Sequence, residues 1–335
     1  MKFNETLEKL KSGRDLSRQE SKESLFAMMD GTWDASQIGT LLIELHRKGE
    51  TAVEIVGFAE AMREKAVSLP LHGLRLLDTC GTGGDKKNTF NISTIAAFVL
   101  AGCGIPVVKH GNRAASSTCG SADLLQEMGI SCRMNPEQVA EGVEAARFGF
   151  LFAPDYHPAT KSVVAVRKQL GGPTIFNLLG PLTNPAIPDA QLIGVYDRKA
   201  VPVMREAVRI LDAQKRAFLI HSSQGYDEAT PTAEFFLHST FAPPVIEHAG
   251  TYGFAACSCE ELIGGSAQIN ASIAFAILNG EESPRRNTVL LNALLGYIAY
   301  HPDATPETAR QAVTESIDSR SALRVVHRLQ ELFPA

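Results

Sequence analysis

The residues best suited to chemistry lie in one run, Asp78-Thr-Cys-Gly81-Thr82-Gly83-Gly84-Asp85-Lys-Lys-Asn-Thr89-Phe-Asn91-Ile-Ser93-Thr94. Gly81, Gly83 and Gly84 follow the short apolar stretch Leu74–Asp78, which reads as a strand. Glycines at a strand exit let main-chain N–H groups approach an anion closely. Asn91, Ser93 and Thr94 then open an apolar helix expected to begin at Ile95. A helix start offers unpaired N–H groups and the positive end of a dipole, which suits phosphate. The two parts together make a phosphate cradle. The glycines alone also fit a plain turn followed by a helix cap. The run is not a P-loop, and Lys86 stands where a dinucleotide fingerprint needs its third glycine.

A second run, Val107-Val-Lys109-His110-Gly111-Asn112-Arg113-Ala-Ala-Ser116-Ser117-Thr-Cys-Gly120-Ser121-Ala-Asp123, follows another strand-like stretch. Lys109 and Arg113 can neutralise phosphate charge, and the hydroxyls and glycine amides can bind its oxygens. A solvated loop is the plainer reading of this run.

The elements that must carry these loops show in the patterning. The first seventy residues read as helices: Ser17 and Glu20 have capping-box spacing, Ile38, Leu41, Leu42 and Leu45 form an apolar stripe, and Thr51 can cap a third helix. Beyond Pro70 strand-like and helix-like stretches alternate, which predicts an α/β domain with a central, mostly parallel sheet. Strands are expected at Pro106–Val108, Gly149–Phe152, Leu192–Tyr196 and Ala217–Ile220. Helices are expected at Ala200–Leu211, Thr288–Tyr300 and Pro306–Leu332. A small N-terminal helical domain (1–70) thus precedes a larger domain (71–335). The net charge of −5 over 335 residues, with no basic run, argues against a general nucleic-acid binder. No apolar stretch is long enough to span a membrane. Six cysteines without a C-x-x-C pair, and no secretory leader, point to reduced thiols in the cytoplasm.

The runs Asp78–Asp85, Asn91–Thr94 and Lys109–Ser117 resemble the signatures of the anthranilate phosphoribosyltransferase family. The likeness runs nearly end to end, through Arg47-Lys-Gly-Glu-Thr51, His157-Pro-Ala159, Val166-Arg167, Ile175–Pro185 and Glu315–Asp318. It implies transfer of phosphoribose from phosphoribosyl pyrophosphate (PRPP) to the amine of anthranilate, with Mg²⁺ as cofactor. It also implies a homodimer formed through the helical domain, and a return of helices within 158–185 to that domain. Carried over by position, the resemblance places PRPP against Gly81, Gly84, Asp85, Thr89, Asn91, Ser93, Thr94, Lys109, Asn112, Ser117 and Ser121. It places anthranilate against Gly81, Asn112 and Arg167, with His110 nearby, and Mg²⁺ on Ser93, Asp227 and Glu228. The chain departs from the family pattern at Tyr226, where leucine is usual, at Thr160 and Ala165, and in a short segment from Asp227 to Glu234.

Three rival readings stand beside this one. A pyrimidine nucleoside phosphorylase is similar in fold, but that family has Lys-His-Ser where this chain has Asp78-Thr-Cys. A paralogue would use PRPP with another acceptor. A non-catalytic relative would bind nucleic acid.

Overall fold

The computed structural model describes residues 2–114 and 118–335. Helices α1 (Phe3–Lys11), α2 (Arg18–Met29), α3 (Ala35–Lys48) and α4 (Ala52–Glu64) open the chain. Ser17 with Glu20, and Thr51 with Glu54, close reciprocal capping boxes, so each helix start satisfies two otherwise orphaned N–H groups. Leu25, Ile38, Leu41, Leu42, Leu45, Val56 and Phe58 are fully buried or nearly so. Gly57 lets α4 lie directly on α2, because a Cβ there would come within 2.4 Å of the Arg18 carbonyl oxygen.

The chain then runs through β1 (Leu77–Gly81), α5 (Ile92–Gly102), β2 (Val107–Gly111), α6 (Ser121–Glu127), α7 (Pro136–Ala146) and β3 (Phe148–Phe152). Next come α8 (Ala153–Tyr156), α9 (Lys161–Leu170), α10 (Phe176–Leu179), β4 (Ala190–Gly194), α11 (Ala200–Leu211) and β5 (Arg216–Ser222). The last elements are β6 (Phe235–Ser239), β7 (Val245–Glu247), α12 (Ala267–Leu278), α13 (Pro284–Tyr300), α14 (Pro306–Asp318) and α15 (Ser321–Leu332). The sheet order is β3-β2-β1-β4-β5-β6-β7. The first five strands are parallel, and β6 and β7 run antiparallel at one edge. The architecture is therefore a small N-terminal helical domain on a larger α/β domain with a mostly parallel sheet.

Side chains alternate across each strand, and the two faces feed two cores. Leu192, Phe218 and Ile220 join the core with α5, α13 and α15. Ile193, Ala217 and Leu219 face the other way, onto Val201, Met204 and Val208 of α11. That second core continues into the helical bundle and takes in Val163 and Val166 of α9 and Phe176 and Leu179 of α10. The helical bundle and one face of the sheet therefore share a single apolar interior.

Several elements differ from the sequence expectation. The helix after the glycine run starts at Ile92 rather than Ile95, with Asn91 at its N-cap. Asn91 makes no capping bond; its amide instead donates to the Cys119 carbonyl and accepts from Asn270. The expected helix Pro306–Leu332 is broken at Arg320, which adopts left-handed φ of 64°. The antiparallel strands β6 and β7 and the helix α12 have no counterpart in the sequence expectation.

Candidate active site

Parallel sheets bind ligands beyond the carboxyl ends of their strands, where the strand order reverses. Here the chain moves outward from β1 to β2 and β3, then returns to lay β4 on the other side of β1. The reversal falls between β1 and β4, whose last residues Gly81 and Gly194 are register partners.

Asp227 fills the space above that pair. After β5 a tight turn, closed by Gly225 N donating to Ser222 O at 2.8 Å, folds the chain back over the strand ends. A Cβ on Gly194 would lie 1.6 Å from the Asp227 carbonyl oxygen, and one on Gly81 would lie 2.4 Å from Asp227 Oδ2. Glycine at 194 is thus a steric requirement against backbone, and a side chain at 81 would displace the Asp227 carboxylate. The N–H of Gly83 donates to Asp227 Oδ2 at 3.1 Å, which ties the glycine loop to the acidic turn. Gly84 takes φ 89°, and a Cβ built there would meet the Tyr196 ring at 3.6 Å.

Asp85, Asp227 and Glu228 each present a carboxylate oxygen, and the three oxygens lie within 4.8 Å of one another. Asp85 Oδ2 and Glu228 Oε2 are buried without a hydrogen-bond partner. Burial raises all three carboxyls. Asp227 reaches about 7, with Asp85's charge adding to the effect of burial. Glu228 is held well above the ordinary range by burial and then by Asp227 and Asp85, with Lys109 opposing. Asp85 is raised by burial against the pull of the Lys87 main chain. Crowded oxygen donors that cannot comfortably all ionise, two of them with an unfilled hydrogen-bonding position, suit a hard divalent cation. The residue set fits Mg²⁺.

Lys109 is only 2% exposed. Its ammonium bonds to the Thr79 carbonyl oxygen and lies 3.4 Å from Ser93 Oγ. Burial lowers its pKa, while Asp78, Glu228 and Asp227 hold the charge on. Lys109 thus sits beneath the cradle and joins Ser93 to the acidic group. Thr94, on the first turn of α5, is buried, and Thr89 bridges to Ile263.

On the β2 side, Asn112 is exposed and its main chain is locked to Ser121, whose hydroxyl accepts from Asn112 N at 3.2 Å. Arg113 is held by Asp123 and Gln126, both at 2.8 Å, so its charge is committed within the protein. Ser117 lies outside the described residues. His110 is buried, with Nδ1 3.1 Å from the Gly180 carbonyl oxygen and Nε2 without a partner. The ring of His157 meets it edge-on at 5.2 Å. Burial pushes His110 down to about 4, and burial with the neighbouring His110 pushes His157 down to about 3. Both rings are neutral at pH 7. Arg167 lies on α9, half-buried, over the Phe176 ring at 5.1 Å and 3.5 Å from Asn177 Oδ1.

The structure thus brings Gly81, Gly83, Gly84, Asp85, Asp227 and Glu228 to one point, with Lys109 and Ser93 beside it. Sequence reasoning gave Asp85 to PRPP alone and did not foresee it as the third carboxylate of the acidic group. It also missed Gly194, Tyr196 and His157 as site neighbours. Gly194 and Tyr196 follow an apolar strand, the same local signal that marked Gly81, and could have been found by it.

Residues 4–66 match the helical bundle domain, and residues 73–323 the a/b domain, of the glycosyl transferase family. An anthranilate phosphoribosyltransferase of Methanocorpusculum labreanum is 44% identical over 97% of this chain and 96% of its own. The crystal structure of the Thermus thermophilus anthranilate phosphoribosyltransferase superposes with a TM-score of 0.93 at 38% identity, covering 98% of both chains. The Saccharomyces cerevisiae enzyme in complex with PRPP and Mg gives 0.91 at 26% identity, covering 98% of this chain and 97% of that one. It has also been solved with 4-fluoroanthranilate. With its full-length likeness to these enzymes and its strand-end cradle, the chain belongs to the anthranilate phosphoribosyltransferases of the glycosyl transferase family.

Proposed function

We propose that this chain transfers phosphoribose from PRPP to the amine of anthranilate, releasing pyrophosphate, in tryptophan biosynthesis. The observation that carries the reading is the convergence of the glycine loop and three crowded carboxylates at the β1–β4 reversal. Gly81, Gly84, Asp85, Thr89, Asn91, Ser93, Thr94, Lys109, Asn112, Ser117 and Ser121 are assigned to PRPP. Asp227, Glu228 and Ser93 are assigned to Mg²⁺, with Asp85 added from its place in the acidic group. Mg²⁺ supplies charge neutralisation for the departing pyrophosphate.

An aromatic amine is neutral at pH 7, so it can attack without prior removal of a proton. The remaining work is to position the anomeric carbon, exclude water and stabilise the leaving diphosphate. The neutral pair His110 and His157 forms an uncharged wall suited to an aromatic ring. Arg167, with Gly81 and Asn112, is assigned to anthranilate; a guanidinium pairs well with a planar carboxylate. We assign no side chain as general base.

We further place the protein in the cytoplasm as a homodimer joined through the helical domain, residues 1–70 completed by helices from 158–185. Exposed Ile43 and Val164 on that lobe support the surface, and light scattering tests it. The reaction itself is tested by an acceptor screen at fixed PRPP. Phosphoribosyl-anthranilate should form only with PRPP and Mg²⁺ present. Turnover with another amine, and none with anthranilate, would replace this reading with that of a paralogue.

A further inference from the structure

Tyr226 stands immediately before the acidic pair and is 4% exposed. Its ring is the platform for Lys87, whose ammonium lies 5.2 Å from the ring centroid. Gly225, which precedes the ring, takes the left-handed φ of 83° that glycine adopts freely, and the Lys87 stem passes close to it. At the ring's tip, Cys259 lies beside the Tyr226 hydroxyl, and Cys259 Sγ in turn lies 3.4 Å from Gln224 Oε1. The ring is thus nearly buried and presents a π face to Lys87.

Lys87 also bonds back along its own loop: its N–H donates to Asp85 Oδ1 at 3.1 Å. Its neighbours Lys86 and Asn88 both carry left-handed φ, 57° and 53°. Non-glycine residues adopt that conformation at a cost, so this stretch of loop is held by what it docks on. On its N-terminal side the loop docks through Gly83 on Asp227 and Lys87 on Tyr226, and on its C-terminal side through Asn88, whose carbonyl oxygen accepts from Gly264 N at 2.9 Å, and Thr89, which bridges to Ile263. A leucine at 226 would offer Lys87 no ring quadrupole, and the contact that holds the loop next to Asp85 would be lost.

We propose that Tyr226 is a positioning residue for PRPP. Its ring docks Lys87, and Lys87 sets the Asp85 carboxylate against Asp227 and Glu228. This rests on the reading of the glycine loop as the PRPP site. The consequence is a preset diphosphate half, so the effect falls on PRPP and leaves the acceptor untouched.

The test is a double-mutant cycle with Tyr226→Leu, Lys87→Met and the pair, together with Tyr226→Phe. Each of the first two should raise the PRPP KM about two- to fivefold, the range of an exposed cation over a ring. The pair should be no worse than either single change, because both remove one contact. Tyr226→Phe, which keeps the ring, should stay within about twofold of the parent. In all four the anthranilate KM should not change. Lys87 is exposed, so Lys87→Met reads the contact even if Tyr226→Leu folds poorly. Calorimetry with Mg²⁺ and PRPP repeats the comparison without turnover.

Effects that multiply in the pair, a phenylalanine variant as impaired as the leucine one, or an unchanged PRPP KM would each overturn the proposal. A parent protein that binds PRPP but ignores anthranilate would overturn the assigned reaction instead and leave this contact standing.

Discussion

Around Gly81 and Gly194 the site is made by main chain meeting main chain; around His110 and His157 it is made by neutral side chains. The first region is crowded with charge that has no comfortable resting state: three carboxyls raised by burial, with Asp85 adding to the rise of Asp227 and both adding to that of Glu228, and buried Lys109 nearby. The second is uncharged at pH 7 because burial strips the protons from both rings. A diphosphate with a metal needs the first kind of surface, and a flat aromatic ring needs the second. The proposed division of the site, diphosphate at the first and aromatic acceptor at the second, follows that contrast.

The contrast breaks most sharply at Gly194. Gly194→Ala puts a methyl group 1.6 Å from the Asp227 carbonyl oxygen, so the acidic turn must move. We expect kcat/KM for PRPP to fall by at least about a hundredfold, with about 2–4 kcal/mol of lost stability. Steady-state kinetics and denaturant unfolding measure both. Near-normal activity would mean that the turn is not held where it is needed.

Next in size is Glu228→Gln. It should abolish the response to Mg²⁺ titration over the working range while raising the melting temperature of the metal-free protein by a few degrees, because one member of a repelling trio is gone. Loss of activity with loss of stability would instead mark Glu228 as a purely structural group. Arg167→Ala comes third. The anthranilate KM should rise about tenfold or more, with the PRPP KM nearly constant. Equal damage to both substrates would place Arg167 in the common frame of the cleft rather than in its acceptor half.

The smallest effect concerns the two histidines. Their folded pKa values lie below the free imidazole value of about 6.5, so the unfolded chain takes up protons that the folded chain refuses. The stability they confer is complete above about pH 6.5 and falls as the pH drops toward 4. Between pH 6.5 and 5 each ring should cost about 2 kcal/mol, and His157→Asn should flatten that slope. Thermal unfolding across the range gives the answer directly.

The diphosphate half was largely legible because it is local. Strand exit, glycines and helix start follow one another from Asp78 to Thr94, and each carries its reason in its residue type. Even there the helix boundary moved by three residues, because Asn91 spends its side chain on Cys119 and Asn270, contacts that close only in three dimensions. The partnership of Asp85 with Asp227 was not legible, since it depends on the turn after β5 landing on β4. Strand β6, with its alternating buried and half-buried pattern and its Ser and His, lacks the continuous apolar run that marked the buried parallel strands. The break at Arg320 has no glycine or proline to announce it. The residues proposed for the acceptor half come from β2, the segment before α9, and α9 itself; the family likeness joined His110 and Arg167, and His157 was missed.

The shared interior of the helical bundle and the underside of the sheet has an engineering consequence. A fragment ending near residue 66 would carry four helices but leave behind Val163, Val166, Phe176 and Leu179, which close its apolar face. Such a fragment has no autonomous life as a module. A chimaera that swaps the first seventy residues between relatives must bring along the segment from 158 to 185 and match the outer side of α11, or it trades a folded protein for an aggregate.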